Sequence, residues 1–226
     1  MDTHLDVLVV SDVHLGSDMS RVKELTEFLS GRTIKKIILN GDIFDSANSR
    51  RLHNEDWEFL SLLRERSGNG TEIIWIAGNH DVSTKNFFML VGAQVCSEYI
   101  FSYNGERYLA IHGHQFDRFL IKNEIVGTTM GVPYRLLQKI EGKKQIVSRF
   151  VKRRYKSWLR LSKRVARGAA AHALNKNIKN VVCGHTHQPM DTVVHGVRYL
   201  NSGSWADSPV SYIAFADGKV WIETIK

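Results

Sequence analysis

Five short apolar segments of the chain each end in a cluster of aspartate, asparagine or histidine, and this repeated pattern most restricts the fold. The segment at residues 73–77 is followed at once by Gly78-Asn79-His80-Asp81. Short runs rich in β-branched and aromatic residues that stop at glycine predict buried strands opening into polar loops. The other four segments end at Asp12 and His14, at Gly41-Asp42, at His112-Gly113-His114 and at Gly184-His185-Thr186-His187. Because strand carboxyl ends in open α/β sheets converge on one crevice, we expect these loops to form one site.

The rest of the pattern predicts two kinds of strand pairing. Residues 5 to 112 alternate strand-like runs with segments of helical spacing, which is typical of βαβ units and a largely parallel sheet. Hairpin turns are predicted later in the chain, at Asn104-Gly105, His195-Gly196 and Asp217-Gly218. Two sheets packed face to face with helices outside reconcile these halves. We therefore predict an α/β (α+β) fold, a two-sheet β-sandwich flanked by helices.

Three helices are expected in the first half of the chain. The first would be capped by Ser20 and stopped by Gly31, and the second would run from about Trp57 to the break at residues 67–70. A third, short helix is predicted over residues 84–90. Each of these would cover one face of the parallel sheet.

The positive charge of the chain is concentrated in one segment. At 226 residues the chain can bury one large core, so we expect a single domain over residues 1–226. Residues 115–176 contain 16 Lys and Arg against 3 Asp and Glu, so this segment carries a net charge of +13. The whole chain carries +8, so the remainder carries −5. Its apolar residues fall on one helical face, which predicts a basic helical insertion, a lid or cap, over residues 115–177.

Two interpretations of this insertion stay open. Its helix can pack an apolar stripe on the body and leave its charges in water. Alternatively, it can form a cap that meets an anionic, lipid-like substrate or the membrane surface. Nucleic-acid binding is not expected, because the segment contains no recognisable binding module.

The sequence also bears on the compartment. It contains no run of 18 apolar residues, and its first residues lack the basic-then-apolar plan of a signal peptide. We expect a cytoplasmic protein, peripheral on the inner face of the membrane if the insertion binds lipid. Cys96 and Cys183 form no Cys-x-x-Cys pair, so free thiols are expected rather than a disulfide framework.

The residue types in the five polar clusters favour divalent metal ions. Mn²⁺, Fe²⁺ and Zn²⁺ take carboxylate oxygen and imidazole nitrogen, and one carboxylate can bridge two ions about 3.5–4 Å apart. Asp12 and His14 lie on the same side of an extended segment, and Asp42 is the candidate bridge. Each motif alone is better explained as an ordinary turn or polar loop, but together they point to two ions. Such a pair promotes hydrolysis of phosphate esters or anhydrides.

Together these motifs resemble those of the calcineurin-like metallophosphoesterases over residues 7–204. The resemblance implies the metallophosphoesterase fold, with a helical cap insertion, and a centre of two divalent ions, of which Mn²⁺ is expected and Fe²⁺ or Zn²⁺ are alternatives. It implies a first ion held by Asp12, His14, Asp42 and His187, and a second held by Asp42, Asn79, His112 and His185.

The same resemblance implies roles beside the metals. His80 would protonate a leaving oxygen or stabilise the phosphoryl group. Asp81 would orient His80 through its other ring nitrogen, although a simple loop-capping role is an equal alternative. His114 would lie behind a ligand or merely nearby.

Within that family, the chain looks like the UDP-2,3-diacylglucosamine pyrophosphatase group, through its length, its insertion after residues 112–117 and its ending at residues 199–205. This resemblance implies a lipid-linked pyrophosphate substrate, a role in lipid A biosynthesis and a site at the membrane surface. Well-known members have Arg, Asp and Asp at the positions of His80, His114 and Ser204. Two alternatives therefore remain: a phosphodiesterase or phosphatase acting on nucleotides or phosphoproteins, and a non-catalytic binding scaffold.

Overall fold

The computed structural model describes residues 4–46, 48–81, 85–117 and 156–225, which form two β-sheets. In this described part the strands are β1 (His4–Val10), β2 (Thr33–Asn40), β3 (Glu72–Ile76), β4 (Gln94–Cys96), β5 (Glu98–Tyr103), β6 (Glu106–Ile111), β7 (Asn180–Cys183), β8 (Met190–Val194), β9 (Val197–Asn201), β10 (Val210–Ala216) and β11 (Lys219–Ile225).

The two sheets combine parallel and antiparallel pairs as the sequence predicts. The six-stranded sheet has the order β11-β10-β1-β2-β3-β4, in which β1 to β4 are parallel and β10 and β11 are antiparallel additions. The five-stranded sheet has the order β5-β6-β7-β9-β8, in which β6, β7 and β9 are parallel. Parallel strands are buried on both faces, which explains the unbroken apolar runs that mark β1, β2 and β3 in the sequence.

Helices cover the outer faces of both sheets. They are α1 (Val22–Ser30), α2 (Asn54–Gly68), α3 (Lys85–Leu90) and α4 (Lys156–Asn175) in the part of the chain with described structure. Residues such as Val9, Ile74 and Phe215 pack between the two sheets. A second core joins α1, α2 and α3 to the first sheet, and a third joins α4 to the second sheet. The predicted α/β fold, a two-sheet β-sandwich flanked by helices, is confirmed.

The helix predictions are correct in position but not in every detail. The prediction that Ser20 caps α1 is wrong, because Arg21 occupies the cap position and the Ser20 hydroxyl instead donates to the Val13 carbonyl at 2.8 Å. Helix α2 begins at Asn54, before the predicted start at Trp57. The earlier start is stabilised by the buried Asp56 carboxylate, which accepts the backbone N–H of His53 at 2.7 Å.

All three predicted hairpin turns are present. Each turn pairs a left-handed residue with a left-handed glycine: φ is 48° and 78° at Asn104 and Gly105, 51° and 79° at His195 and Gly196, and 50° and 73° at Asp217 and Gly218. Two such residues in succession give the turn twist that matches paired strands.

Only part of the predicted insertion can be compared with the structure. Residues 118–155 lie outside the described residues, whereas α4 packs Ala166, Ala169 and Ala173 against the second sheet. The contacts of α4 are those expected for a helix that packs its apolar face against the β-sandwich. The lid or cap at residues 115–177 stays a prediction. No helix in the described ranges has the length and apolar character required to cross a membrane.

Candidate metal centre

The polar loops that follow β1, β2, β3, β6 and β7 meet at one end of the two sheets. The backbone N–H of Asp12 donates to the Gly41 carbonyl at 3.0 Å, and that of Gly184 donates to the His112 carbonyl at 3.0 Å. The His112 side chain joins the two sheets, since its Nδ1–H donates to the Asn40 carbonyl at 2.8 Å. The five loops therefore share one crevice.

Five residues of these loops adopt a left-handed backbone conformation that is rare outside glycine. Their φ angles lie between 52° and 65°, and they are Asp12, His14, Asp42, His185 and His187. A residue held in this region costs about 1–3 kcal/mol, and such residues cluster at active sites and ligand sites as well as in turns. In these five loops the strain falls on residues that carry oxygen or nitrogen donors.

One group of donors consists of Asp12, His14 and His187, whose ligand-type atoms lie within 4.8 Å of one another. Asp12 is fully buried, and its Oδ2 accepts the backbone N–H of His185 at 3.0 Å. Its other oxygen, Oδ1, lies 3.1 Å from His187 Nε2. One carboxylate oxygen is therefore held by the protein, while the other faces the histidines.

A second group consists of Asp42, His112 and His185, again with ligand-type atoms within 4.8 Å of one another. Asp42 Oδ2 lies 3.4 Å from His112 Nε2, and both side chains are almost completely buried. The rings of His112 and His185 meet edge to face with centroids 5.3 Å apart. Asn79 belongs to the β3 loop, between Gly78 and His80. The backbone N–H of His80 donates to Asp42 Oδ1 at 2.9 Å.

Several buried polar atoms around both groups have no hydrogen-bond partner among the described residues. They include Asp12 Oδ1, His14 Nδ1, Asn79 Oδ1 and His112 Nε2. An unpaired buried polar atom costs about 1–3 kcal/mol, so native structures rarely leave one. Carboxylate and amide oxygens that converge with imidazole nitrogens form a donor set suited to Mn²⁺, Fe²⁺ or Zn²⁺. The residues present therefore fit divalent cations.

Two glycines allow this close approach of loops. A methyl group on Gly41, where φ is 87°, would come within 2.3 Å of His112 Nδ1. A methyl group on Gly184 would come within 2.7 Å of Asp12 Oδ2. The glycines that precede the polar residues are thus required by packing around the donors, in addition to ending the strands.

Charges in the crevice shift one another's pKa values. Burial lowers the pKa of His187, but the carboxylates of Asp12 and Asp207 raise it to about 10. Burial likewise lowers the pKa of His112, and Asp42 beside it raises the value to about 9. Burial raises the pKa of Asp42, while the charge of His112 lowers it by more, so it lies well below its usual range. The acids thus remain charged and attract positive charge, which bound cations can supply as well as protons.

His80 lies at the mouth of the crevice, with 29% of its side chain exposed. Its Nδ1–H donates to the main-chain carbonyl of Asp45 at 2.8 Å. Its Nε2 lies 4.0 Å from Asp42 Oδ2. One ring nitrogen is therefore fixed by the backbone, and the other is directed towards the donor groups.

The Asp81 carboxylate contacts backbone N–H groups, whereas the predicted role of orienting His80 would require a contact with the His80 ring. The fully buried Asp81 carboxylate accepts the backbone N–H groups of Phe44 at 3.0 Å and Gly78 at 3.0 Å. His80 Nδ1–H donates instead to the main-chain carbonyl of Asp45. The alternative, a loop-capping role, is the one these contacts support, because Asp81 ties the β2 loop to the β3 loop.

His114 is placed near the second group. Its ring centroid lies 5.4 Å from that of His112 and 6.4 Å from that of His185. Burial lowers the pKa of His114 to about 4, and its buried Nδ1 has no hydrogen-bond partner within the described residues. His114 is therefore a neutral neighbour of the second group.

Three aspartates beside the histidines were missed by the sequence analysis. Asp45 Oδ1 lies 3.8 Å from His14 Nδ1, Asp117 Oδ2 lies 3.4 Å from His185 Nε2, and Asp207 Oδ2 lies 2.6 Å from His187 Nδ1. Asp45 could have been noticed, because it follows Asp42 by three residues in the same loop. Asp117 and Asp207 stand outside the strand-end pattern, so no local signal marks them.

Comparison with known proteins gives a family for this arrangement. The calcineurin-like phosphoesterase superfamily domain matches residues 5–216. No curated protein matches the sequence.

Solved structures with similar folds include two phosphoesterases. One is an archaeal phosphodiesterase, with 11% identity, coverage of 97% of this chain and 99% of that chain, and a TM-score of 0.52. Another is YfcE, a phosphoesterase from E. coli, with 18% identity, coverage of 97% and 99%, and a TM-score of 0.51. At these identities the likeness shows a shared fold.

Proposed function

The chain belongs to the calcineurin-like phosphoesterase superfamily, and we propose that it is a hydrolase of phosphoric esters or anhydrides that depends on two divalent metal ions. The observation that carries this proposal is the meeting of two groups of buried oxygen and nitrogen donors, several without a hydrogen-bond partner in the described part of the chain. In the proposed centre, Asp12, His14, Asp42 and His187 would hold the first ion, and Asp42, Asn79, His112 and His185 would hold the second.

Two ions bound in this centre would polarise phosphoryl oxygens and lower the pKa of water. The donor set suits Mn²⁺ best in our proposal, with Fe²⁺ and Zn²⁺ as alternatives. His80 would act on the leaving oxygen, because the Asp45 carbonyl fixes Nδ1 and leaves Nε2 directed into the crevice. Asp81 would act indirectly, by holding together the loops that carry Asp42 and Asn79.

The proposal is tested with bis-p-nitrophenyl phosphate. The chelated protein should be inactive, Mn²⁺ should restore hydrolysis, and Asp42→Ala should abolish it. Asp6→Asn is a matched control. Asp6 is a partly exposed carboxylate on β1, near the end of that strand opposite to Asp12, and it forms an ion pair with Lys35 on β2. Turnover by Asp42→Ala near that of the control would contradict the assignment.

For the substrate, we propose UDP-2,3-diacylglucosamine or a similar lipid-linked pyrophosphate, with 115–177 as an insertion in one domain. The motif resemblance supports this choice, as does α4, which contains no Asp or Glu and exposes Arg160, Lys163, Arg164 and Arg167. A cationic surface of this kind attracts phosphates and anionic headgroups. The corresponding location is cytoplasmic, peripheral on the inner face of the membrane.

Release of UMP from UDP-2,3-diacylglucosamine would support the lipid-linked substrate. Hydrolysis of nucleotides or phosphoproteins, with no UMP release, would favour the alternative phosphodiesterase or phosphatase activity. Membrane contact is tested separately, by changing Arg160, Arg164 and Arg167 to Glu and measuring binding to anionic liposomes. Arg64→Glu on α2 is the control, since Arg64 is exposed on the opposite side of the sandwich. Unchanged liposome binding by the triple variant would exclude α4 as a membrane contact.

A further inference from the structure

His187 lies between two carboxylates that contact different nitrogens of its ring. Its Nδ1 is 2.6 Å from Asp207 Oδ2, and its Nε2 is 3.1 Å from Asp12 Oδ1. Only 8% of Asp207 is exposed, and none of Asp12. Asp207 therefore holds one side of the ring by a short contact, and the other side faces Asp12, a proposed metal ligand.

The two contacts are chemically different. The Nδ1 contact has hydrogen-bond geometry, so Nδ1–H donates to the Asp207 carboxylate. Asp12 Oδ1 has no hydrogen-bond partner in the described residues, despite its short distance to Nε2. A carboxylate that accepts Nδ1–H selects the tautomer in which the Nε2 lone pair is available. The Nε2 lone pair and Asp12 Oδ1 then face the same space, which a proton or a cation can fill.

The loop after β9 connects Asp207 mechanically to Asp12. The backbone N–H of Trp205 donates to the Asp12 carbonyl at 3.1 Å, and the Ser204 hydroxyl donates to the same oxygen at 3.1 Å. Trp205 is fully buried and anchors this loop in the second core, which joins α1, α2 and α3 to the first sheet. The segment that carries Asp207 is thus fixed to the backbone of the ligand opposite it.

The other histidines of the centre are held less tightly by acids. His112 Nδ1 donates to a backbone carbonyl, whereas the nearest acid contacts of His185 and His14 are 3.4 Å and 3.8 Å long. Among these four rings, and counting only carboxylates in the described ranges, His187 alone has one at short hydrogen-bond distance.

We propose that Asp207 is a positioning residue for the metal site formed by Asp12, His14 and His187, since it fixes the ring orientation and tautomer of His187. This inference rests on the proposed function, because it requires that the site binds a divalent ion. It predicts that Asp207 controls the affinity of one metal site and leaves the other unaffected. A purely structural ion pair would instead change the stability of the chelated protein and leave metal affinity unchanged.

The experiment is calorimetric titration of the full chain with Mn²⁺. The unaltered protein should bind two ions. In Asp207→Asn, which keeps the side-chain shape, one site should weaken about 10–100-fold while the other keeps its affinity. Asp217→Asn is the control, since Asp217 is exposed in a distant hairpin at φ 50°, a conformation that Asn tolerates.

Thermal unfolding in chelator checks that each variant is folded. Should Asp207→Asn not fold, Asp207→Glu replaces it, and the misplaced carboxylate should weaken the same site. Two unchanged affinities in a folded variant would overturn the role of Asp207 while leaving the proposed function intact. Absence of Mn²⁺ binding by the unaltered protein would overturn both.

Discussion

Gly78 packs against Asp42 so closely that a methyl group on Gly78 would come within 2.2 Å of Asp42 Oδ1 and 2.3 Å of its backbone nitrogen. The contact joins the loops after β2 and β3 at the residue proposed to bridge two ions. Any side chain at position 78 must therefore move the Asp42 carboxylate or its backbone.

We predict that Gly78→Ala lowers Mn²⁺-dependent turnover about 100-fold or more, because a displacement of about 1 Å at a reacting centre has that effect. The same variant should lose about 1–3 kcal/mol of stability through overpacking. Turnover of bis-p-nitrophenyl phosphate and urea unfolding measure the two effects. Gly68→Ala is the matched control, because a methyl group there meets nothing within 4 Å. Equal activities of the two variants would contradict the prediction.

Features of this fold can be predicted from the sequence when the residues that specify them are close together in the chain. Strand ends, hairpin glycines and the polar residues after them are adjacent in the chain, so their pattern predicted the sheets and the loops. Asp207 and Asp117 could not be predicted in this way, because they lie 20 and 68 residues from the histidines that they contact. The prediction of a Ser20 cap is wrong for a different reason, because the Ser20 hydroxyl donates to the nearby Val13 carbonyl instead of accepting a helix N–H.

Metal removal should destabilise the protein. The carboxylates of Asp12 and Asp42 are buried beside His187 and His112, and a ligand that binds only the folded state stabilises it. At Mn²⁺ concentrations of about 100 times Kd, the gain should be about 2.7 kcal/mol. For a chain of this size, each kcal/mol raises Tm by about 2–4 °C. Thermal unfolding with Mn²⁺ or chelator measures this shift, and Asp42→Ala should show little of it. Equal Tm shifts in the unaltered protein and in Asp42→Ala would mean that the stabilising ion binds outside the proposed centre.

Glu98 should make the attachment of α4 dependent on pH. Its carboxylate accepts from His172 at 2.7 Å and from Lys176 at 2.5 Å. Burial raises the pKa of Glu98, but these hydrogen bonds lower it by more, so the folded-state pKa is depressed. The resulting stability is present above the unfolded-state pKa of about 4.3 and is lost as pH falls through the lower, folded-state pKa.

Glu98→Gln should therefore reduce stability at pH 7 by about 1 kcal/mol or less, the range for partly exposed ion pairs. The difference from the unaltered protein should shrink as the pH falls below about 4. Urea unfolding across this pH range measures it, with Glu58→Gln on the exposed face of α2 as the control. A difference independent of pH would mean that the glutamate acts by packing rather than by charge.

His80 should matter most when the leaving group is poor. Its Nδ1–H is fixed by the Asp45 carbonyl, so Nε2 is the nitrogen that, in the imidazolium form of the ring, can donate a proton to a departing oxygen. Loss of such a donor typically costs about 10²–10⁴-fold. We predict a loss of this size for His80→Asn with diphenyl phosphate, whose phenol leaves with difficulty, and a clearly smaller loss with bis-p-nitrophenyl phosphate, whose leaving group needs little protonation. Mn²⁺ affinity should be unchanged, because His80 is not a proposed ligand. Equal losses with both substrates would instead assign His80 to stabilising charge on the phosphoryl oxygens.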